Sequence, residues 1–147
     1  MWSPDSTKLM FTNIKQAEEG IRTQVLLADL TLNETTTLIG TNDDHDYGYY
    51  SLAWSSIEER AVVGFRLSEN QPAQILWMFN PARLDGILIA NEPEYTYNAP
   101  QWDTWGSTLV FQQFRLKGVH APEIAYWQDG FDAPVLLTEG ILPQWLP

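Results

Sequence analysis

Cysteine is absent from the 147 residues. That excludes a disulfide framework, a thiolate-held zinc and a thiol nucleophile. Basic residues are scarce, with 8 Lys and Arg against 19 Asp and Glu, and the formal net charge is −11. Such a field repels phosphate backbones and anionic lipid headgroups, so neither nucleic acid nor a membrane surface is expected as a partner. No apolar run approaches the length of a membrane-spanning helix, and membrane insertion is not expected. The opening Met1-Trp2-Ser3-Pro4-Asp5 has neither a basic n-region nor an apolar h-region, which leaves the compartment open. Histidine occurs only as His45 and His120. A Gly-x-Ser-x-Gly elbow is missing, and Gly106-Ser107 falls in a turn with no helix after it.

Aromatic residues are plentiful, with 7 Trp, 6 Tyr and 6 Phe, and they favour pleated sheets on which flat rings pack well. Trp2, Trp54, Trp102 and Trp145 stand at intervals of 52, 48 and 43 residues. Three of them end similar phrases: Leu52-Ala53-Trp54, Pro100-Gln101-Trp102 and Pro143-Gln144-Trp145. A recurrence of roughly 40 to 50 residues filled with short apolar runs is the mark of a four-stranded propeller blade. Short strands are predicted over 8–12, 23–30 and 35–39, then 50–54, 61–67, 74–79 and 86–90, then 99–102, 108–114, 123–127 and 134–138, with 142–145 as a last spare strand. Residues 15–20 read as a polar hairpin loop. Helix is the alternative over 14–32, but its apolar residues cluster at Val25, Leu26, Leu27, Ala28 and Leu30 without a 3.6 period. The fold class is thus all-β, with blades of four antiparallel strands over approximately 1–48, 49–96 and 97–140, and 141–147 opening a further blade.

The phrase Trp2-Ser3-Pro4-Asp5-Ser6, followed by apolar Leu9-Met10-Phe11, resembles the TolB-like branch of the WD-repeat-like β-propellers. Trp54-Ser55 keeps the start of that phrase, and Trp102-Asp103-Thr104-Trp105-Gly106 keeps its Trp and a late Gly. The resemblance implies an association with protein interactions at the bacterial envelope, in a family often periplasmic. Physically, proline two residues ahead of Trp suits a strand start, and the four indoles are expected to pack between blades. Asp5 in the turn is expected to accept backbone N–H bonds.

In the resembled fold the run ending at Trp is the innermost strand, which the first unit lacks and residues 142–145 duplicate. Three blades do not close a ring, because propellers have about four to eight. One reading is a homodimer of two half-rings making six blades, each tail completing the blade begun by 8–12 of the other subunit. The other reading is a piece of a longer propeller.

The acidic stretch Thr41-Asn42-Asp43-Asp44-His45-Asp46-Tyr47-Gly48 alternates ligands as an EF-hand loop does, but its Gly is one position late and Ala53 stands where a bidentate Glu belongs. A solvated turn is expected there, with no metal and no cofactor. Glu92 and Glu94 as an acid pair for glycoside hydrolysis read more simply as solvated carboxylates. A binding face is expected from the loops that lead into inner strands, carrying Asp44, Asp46, Tyr47 and Tyr49 in one and Glu94, Tyr95 and Tyr97 in the other. Tyrosine beside carboxylate suits a basic peptide or a polyol. The expected function is a non-catalytic scaffold for a protein or peptide partner. The alternatives are a glycan-binding or glycan-processing propeller and the propeller part of a prolyl oligopeptidase-like enzyme.

Overall fold

The computed structural model describes residues 1–17, 20–40, 48–57, 60–66 and 73–145. Among the described residues eleven strands form three antiparallel sheets. The first sheet has β1 (Lys8–Ala17), β2 (Gly20–Asp29) and β3 (Glu34–Ile39). The second has β4 (Tyr49–Trp54), β5 (Ala61–Arg66), β6 (Gln74–Phe79) and β7 (Gly86–Ala90). The third has β8 (Tyr95–Trp102), β9 (Thr108–Arg115), β10 (Glu123–Gln128) and β11 (Val135–Glu139). Each sheet is a meander of neighbours in chain order, as propeller blades require.

Two boundaries depart from the sequence reading. Lys15, Gln16, Ala17 and Gly20 lie in strands and not in a hairpin loop, because β1 runs to Ala17 and β2 starts at Gly20, with Lys15 opposite Arg22 and Ala17 opposite Gly20; residues 18–19 lie outside the described residues. Ladder bonds use the backbone alone, so polar residues extend a hairpin as readily as apolar ones. The third blade starts at Tyr95, and Pro100 lies inside β8 at a register shift between Asn98 and Gln101, beside Ala99 at φ 49°. A bulge is where a strand tolerates the missing N–H of proline.

The blades pack face to face. Ala61, Val63 and Phe79 of the second blade meet Met10 and Val25 of the first. Val62 and Leu76, on the other face, meet Leu109, Phe111 and Trp127 of the third. Successive residues of β5 are therefore both core residues, and the central blade is buried on both sides.

The tryptophan phrase sets the same register each time. Trp2 pairs with Leu9, Trp54 with Ala61 and Trp102 with Leu109. The next residue, Ser3, Ser55 or Asp103, is buried and donates its N–H to Lys8, Arg60 or Thr108 at 2.9 Å. Ser6 at φ 59° and Gly106 at φ 71° hold equivalent left-handed places. Asp5 accepts from the Ser3 hydroxyl at 2.6 Å, from the Thr7 hydroxyl at 2.7 Å and from the Thr7 N–H at 3.0 Å. In the third blade Asp103 takes over, accepting from the N–H groups of Ser107 and Thr108.

The four indoles do not share one environment. Trp54 is 8% exposed and in the core, and Trp102 packs against the neighbouring core cluster. Trp2 and Trp145 are 54% and 40% exposed. The expected packing of all four between blades is thus corrected for these two, because among the described residues no sheet lies on the far side of either. Residues 142–145 also form no strand. Leu142 nevertheless takes φ 48° where Ala99 has 49°, and the Trp145 indole N–H reaches the Gln101 carbonyl at 3.2 Å.

Two outcomes check this architecture. Phe111→Ala, deep between blades, is expected to lower unfolding free energy in urea by about 3–5 kcal/mol, and a loss under about 1 kcal/mol would contradict tight packing there. Hydrogen bonds from Ser3 and then Thr7 hold the Asp5 carboxyl down to about 2. The stability it contributes is complete above the ordinary carboxylate range near pH ~4 and fades as pH falls toward ~2. Asp5→Asn should flatten acid denaturation in that window, with an NMR titration reading the carboxyl directly.

Candidate functional site

Two ends of the sheets have different chemistry. At one end the Trp-containing turns pack on each other: Arg60 donates to both Asp129 carboxylate oxygens at 3.0 and 2.8 Å and to the Gly106 carbonyl at 3.0 Å, while its guanidinium lies 5.6 Å from the Trp102 ring. A Cβ on Gly106 would come within 2.1 Å of the Ser55 hydroxyl. This end is occupied with holding the second and third blades together.

The other end carries the segment from β7 into β8 and the β9–β10 hairpin turn. They are fastened by the Leu116 N–H to the Glu94 carbonyl at 2.9 Å. The Gln74 N–H also reaches the Thr96 hydroxyl at 2.9 Å, bringing the start of β6 alongside. Tyr95 stands opposite Arg115, and Tyr97 and Glu123 stand opposite Gln113, so these side chains form one ladder on the face toward the second blade.

Within that ladder Glu123 is buried and accepts from Gln113 Nε2 at 2.7 Å and Arg115 Nε at 3.2 Å. The Gln113 bond first, and the guanidinium after it, keep its carboxyl below the usual range. The Arg115 guanidinium lies 5.5 Å from the Tyr95 ring, and Tyr95 stacks on Tyr97 at 6.3 Å. A hollow of about 410 Å³ opens beside them, lined by Pro93, Glu94, Arg115, Leu116, Lys117 and His120. Gly118 takes φ 84°, and a Cβ there would come within 2.8 Å of the His120 ring, so glycine lets that imidazole lie against the turn.

The residues expected to bind fare differently. Asp44, Asp46 and Tyr47 lie outside the described residues, as does His45. Tyr49 opens β4 opposite Phe65 and belongs to a strand. Glu94 is exposed in the hollow and Tyr95 is half-buried behind it. Tyr97 is corrected from surface to core: it is 1% exposed, it meets Phe111 edge-on, and its hydroxyl accepts the Glu92 N–H at 3.2 Å. Burial comes from the strand beginning at Tyr95, which turns alternate side chains toward the second blade. Arg115, Lys117 and His120 were missed as site residues. Their signal was the Arg-Leu-Lys-Gly run at a hairpin turn in a chain with so few cations.

A second hollow, of about 560 Å³, lies between β4 and β8 on Ser51, Trp54, Pro100 and Trp102, with Met1 alongside. The buried Ser51 Oγ and Trp102 Nε1 have no hydrogen-bond partner among the described residues. Among the described residues no group of three or more Asp, Glu or His is placed to hold a metal ion.

No protein-family model and no curated protein sequence matches the chain. Solved structures do. TolB from Acinetobacter baumannii is similar with a TM-score of 0.64 and 12% identity over 94% of this chain. The fold is that of a TolB-like β-propeller. A prolyl endopeptidase is similar at a TM-score of 0.67, with 13% identity over 96% of the chain. The β-propeller domain of the Trilobed protease from Pyrococcus furiosus, which has an open velcro topology, is similar at 0.60, with 17% identity over 95% of the chain. The chain spans 31%, 21% and 42% of these three, respectively. In this fold the hollow beside Arg115 sits at the end of the blades opposite the Trp-containing turns.

Tyr97 gives the site its own test. Burial raises its phenol to about 12, above the unfolded value near 10, so stability should be full below pH ~10 and fall as pH rises toward ~12. Tyr97→Phe is expected to cost about 0.5–1.5 kcal/mol at neutral pH through the lost Glu92 bond and to remove that alkaline loss. An ultraviolet titration showing Tyr97 ionising with the exposed tyrosines would contradict the assignment.

Proposed function

We propose that this chain is a non-catalytic β-propeller scaffold that holds a protein or peptide partner at the end bearing residues 91–97 and 115–120, and that a second copy completes its ring. The observation that carries the binding role is the hollow of about 410 Å³ on a frame already fixed by the Glu123–Gln113–Arg115 bonds. A preformed site of this kind spares the ordering cost that weakens association. Its partner role agrees with the protein interactions that the TolB-like resemblance implies.

The completion role rests on the tail. Leu142, three residues ahead of Trp145, has the φ of Ala99, three residues ahead of Trp102, and β1 is the edge of its sheet, met among the described residues by the short stretch Met1 to Ser3. Exchange between two copies would set Gln144 and Trp145 opposite Met10 and Leu9, replacing Met1 and Trp2, so one indole substitutes for another. Open edges and an exposed indole favour such pairing.

A second reading is the propeller part of a prolyl oligopeptidase-like enzyme. The likeness over 96% of the chain to a prolyl endopeptidase supports it, and on that reading the chain's own residues contribute no catalytic group.

Light scattering on the chain should give twice 16.8 kDa at micromolar concentration, shifting to monomer in Trp145→Ala; a monodisperse monomer for the parent chain rules out completion by a second copy. For the binding role, peptides selected from a random display library should lose affinity for a Glu94→Ala/Lys117→Ala double variant. Selected peptides indifferent to both changes would move the partner surface elsewhere.

A further inference from the structure

We infer that the hollow beside Arg115 is a carboxylate site, taking an acidic side chain or a free chain terminus of a polypeptide; this rests on the reading of that end as the partner surface. The sequence alone pointed the other way, to a basic ligand beside Glu94 and tyrosines. The geometry reverses the sign. Arg115 is oriented by its Nε bond to Glu123 and by the Tyr95 ring behind it, which leaves its two Nη groups without a hydrogen bond to any described residue. Those paired N–H groups are the edge of a guanidinium that matches a carboxylate with two parallel bonds.

Lys117 and His120 line the same hollow, and neither has a hydrogen-bond or ion-pair partner among the described residues. Glu123 is buried and accepts from Gln113 and Arg115 within the ladder. Glu94 alone remains as a free acceptor on the wall, placed to take a backbone N–H or an ammonium of the same ligand. Pro93 and Leu116 supply an apolar floor for the methylene groups of an acidic residue. In a chain of net charge −11, Lys117 and the open edge of the Arg115 guanidinium offer a local place for a carboxylate, while the overall field repels polyphosphates.

Fluorescence polarisation with three labelled probes tests this: hexaglutamate amide, hexaalanine with a free C-terminal carboxylate, and hexalysine amide. Hexaglutamate is expected to bind at low salt and to weaken as salt rises. Lys117→Glu should weaken it at least about tenfold with an unchanged melting temperature, and His120→Ala should weaken it less. Binding of hexaalanine instead, with the same sensitivity to Lys117→Glu, assigns the site to chain termini and also supports the inference. Binding only of hexalysine, lost in Glu94→Ala, overturns the carboxylate site while leaving the partner surface standing. Failure of every probe, or binding that Lys117→Glu leaves unchanged, overturns it as well; the partner surface itself fails only if display-selected peptides ignore the Glu94 and Lys117 changes.

Discussion

A four-stranded sheet with apolar residues on both faces has to be covered on both sides, and this requirement organises the molecule. β5 shows it most clearly, since Ala61 and Val63 face the first blade while Val62 faces the third. Neither face could be left to water without exposing side chains that are each worth about 1.5–3 kcal/mol when buried. Each blade is therefore stable only between neighbours, the behaviour of repeat architectures in which stacking supplies the core. Trp2 and Trp145, at the two ends of the row of blades, stand exposed where Trp54 and Trp102 are covered.

Stacking at a fixed distance needs blades of the same shape, and the turn after each tryptophan provides it. The Trp pairs seven residues ahead, the following polar residue is buried, and its N–H closes onto the strand in the same place each time. Side-chain oxygens of Asp5 or Asp103 take the N–H groups that a tight turn leaves over. The sequences of these turns differ, yet the geometry agrees, because the requirement is an acceptor near a left-handed residue and not a particular amino acid.

Division of labour between the two ends follows. Where the tryptophan turns meet, Arg60 is committed to Asp129, to Gly106 and to the Trp102 face, and the surface is used for cohesion. At the other end Arg115 is anchored, among the described residues, through its Nε. A cation that is held but not saturated is suited to recognition, as its orientation is already fixed and its remaining donors are open.

The repeat was legible in the sequence because it depends on spacing: indoles at nearly even intervals and apolar runs between turn residues mark blades whatever surrounds them. The third blade's turn was recognisable through Gly106, and Asp5 through its place in the phrase. The candidate site was legible only in part. Glu94 and Tyr95 were picked out from their loop, but Tyr97 was misplaced because β8 starts at Tyr95 and so takes Tyr97 out of the loop and into a strand with its side chain inward. Arg115 and Lys117 lay in a different hairpin, some twenty residues away in the chain. By itself, then, the sequence determined the strand class, the blade period and the even spacing of the tryptophans, all of which are local or periodic properties. Tertiary structure alone decided which tyrosine is core, which indoles remain exposed and which cation keeps free donors. Those outcomes depend on what a neighbouring strand or blade lays against each side chain, and no stretch of chain encodes its own neighbours.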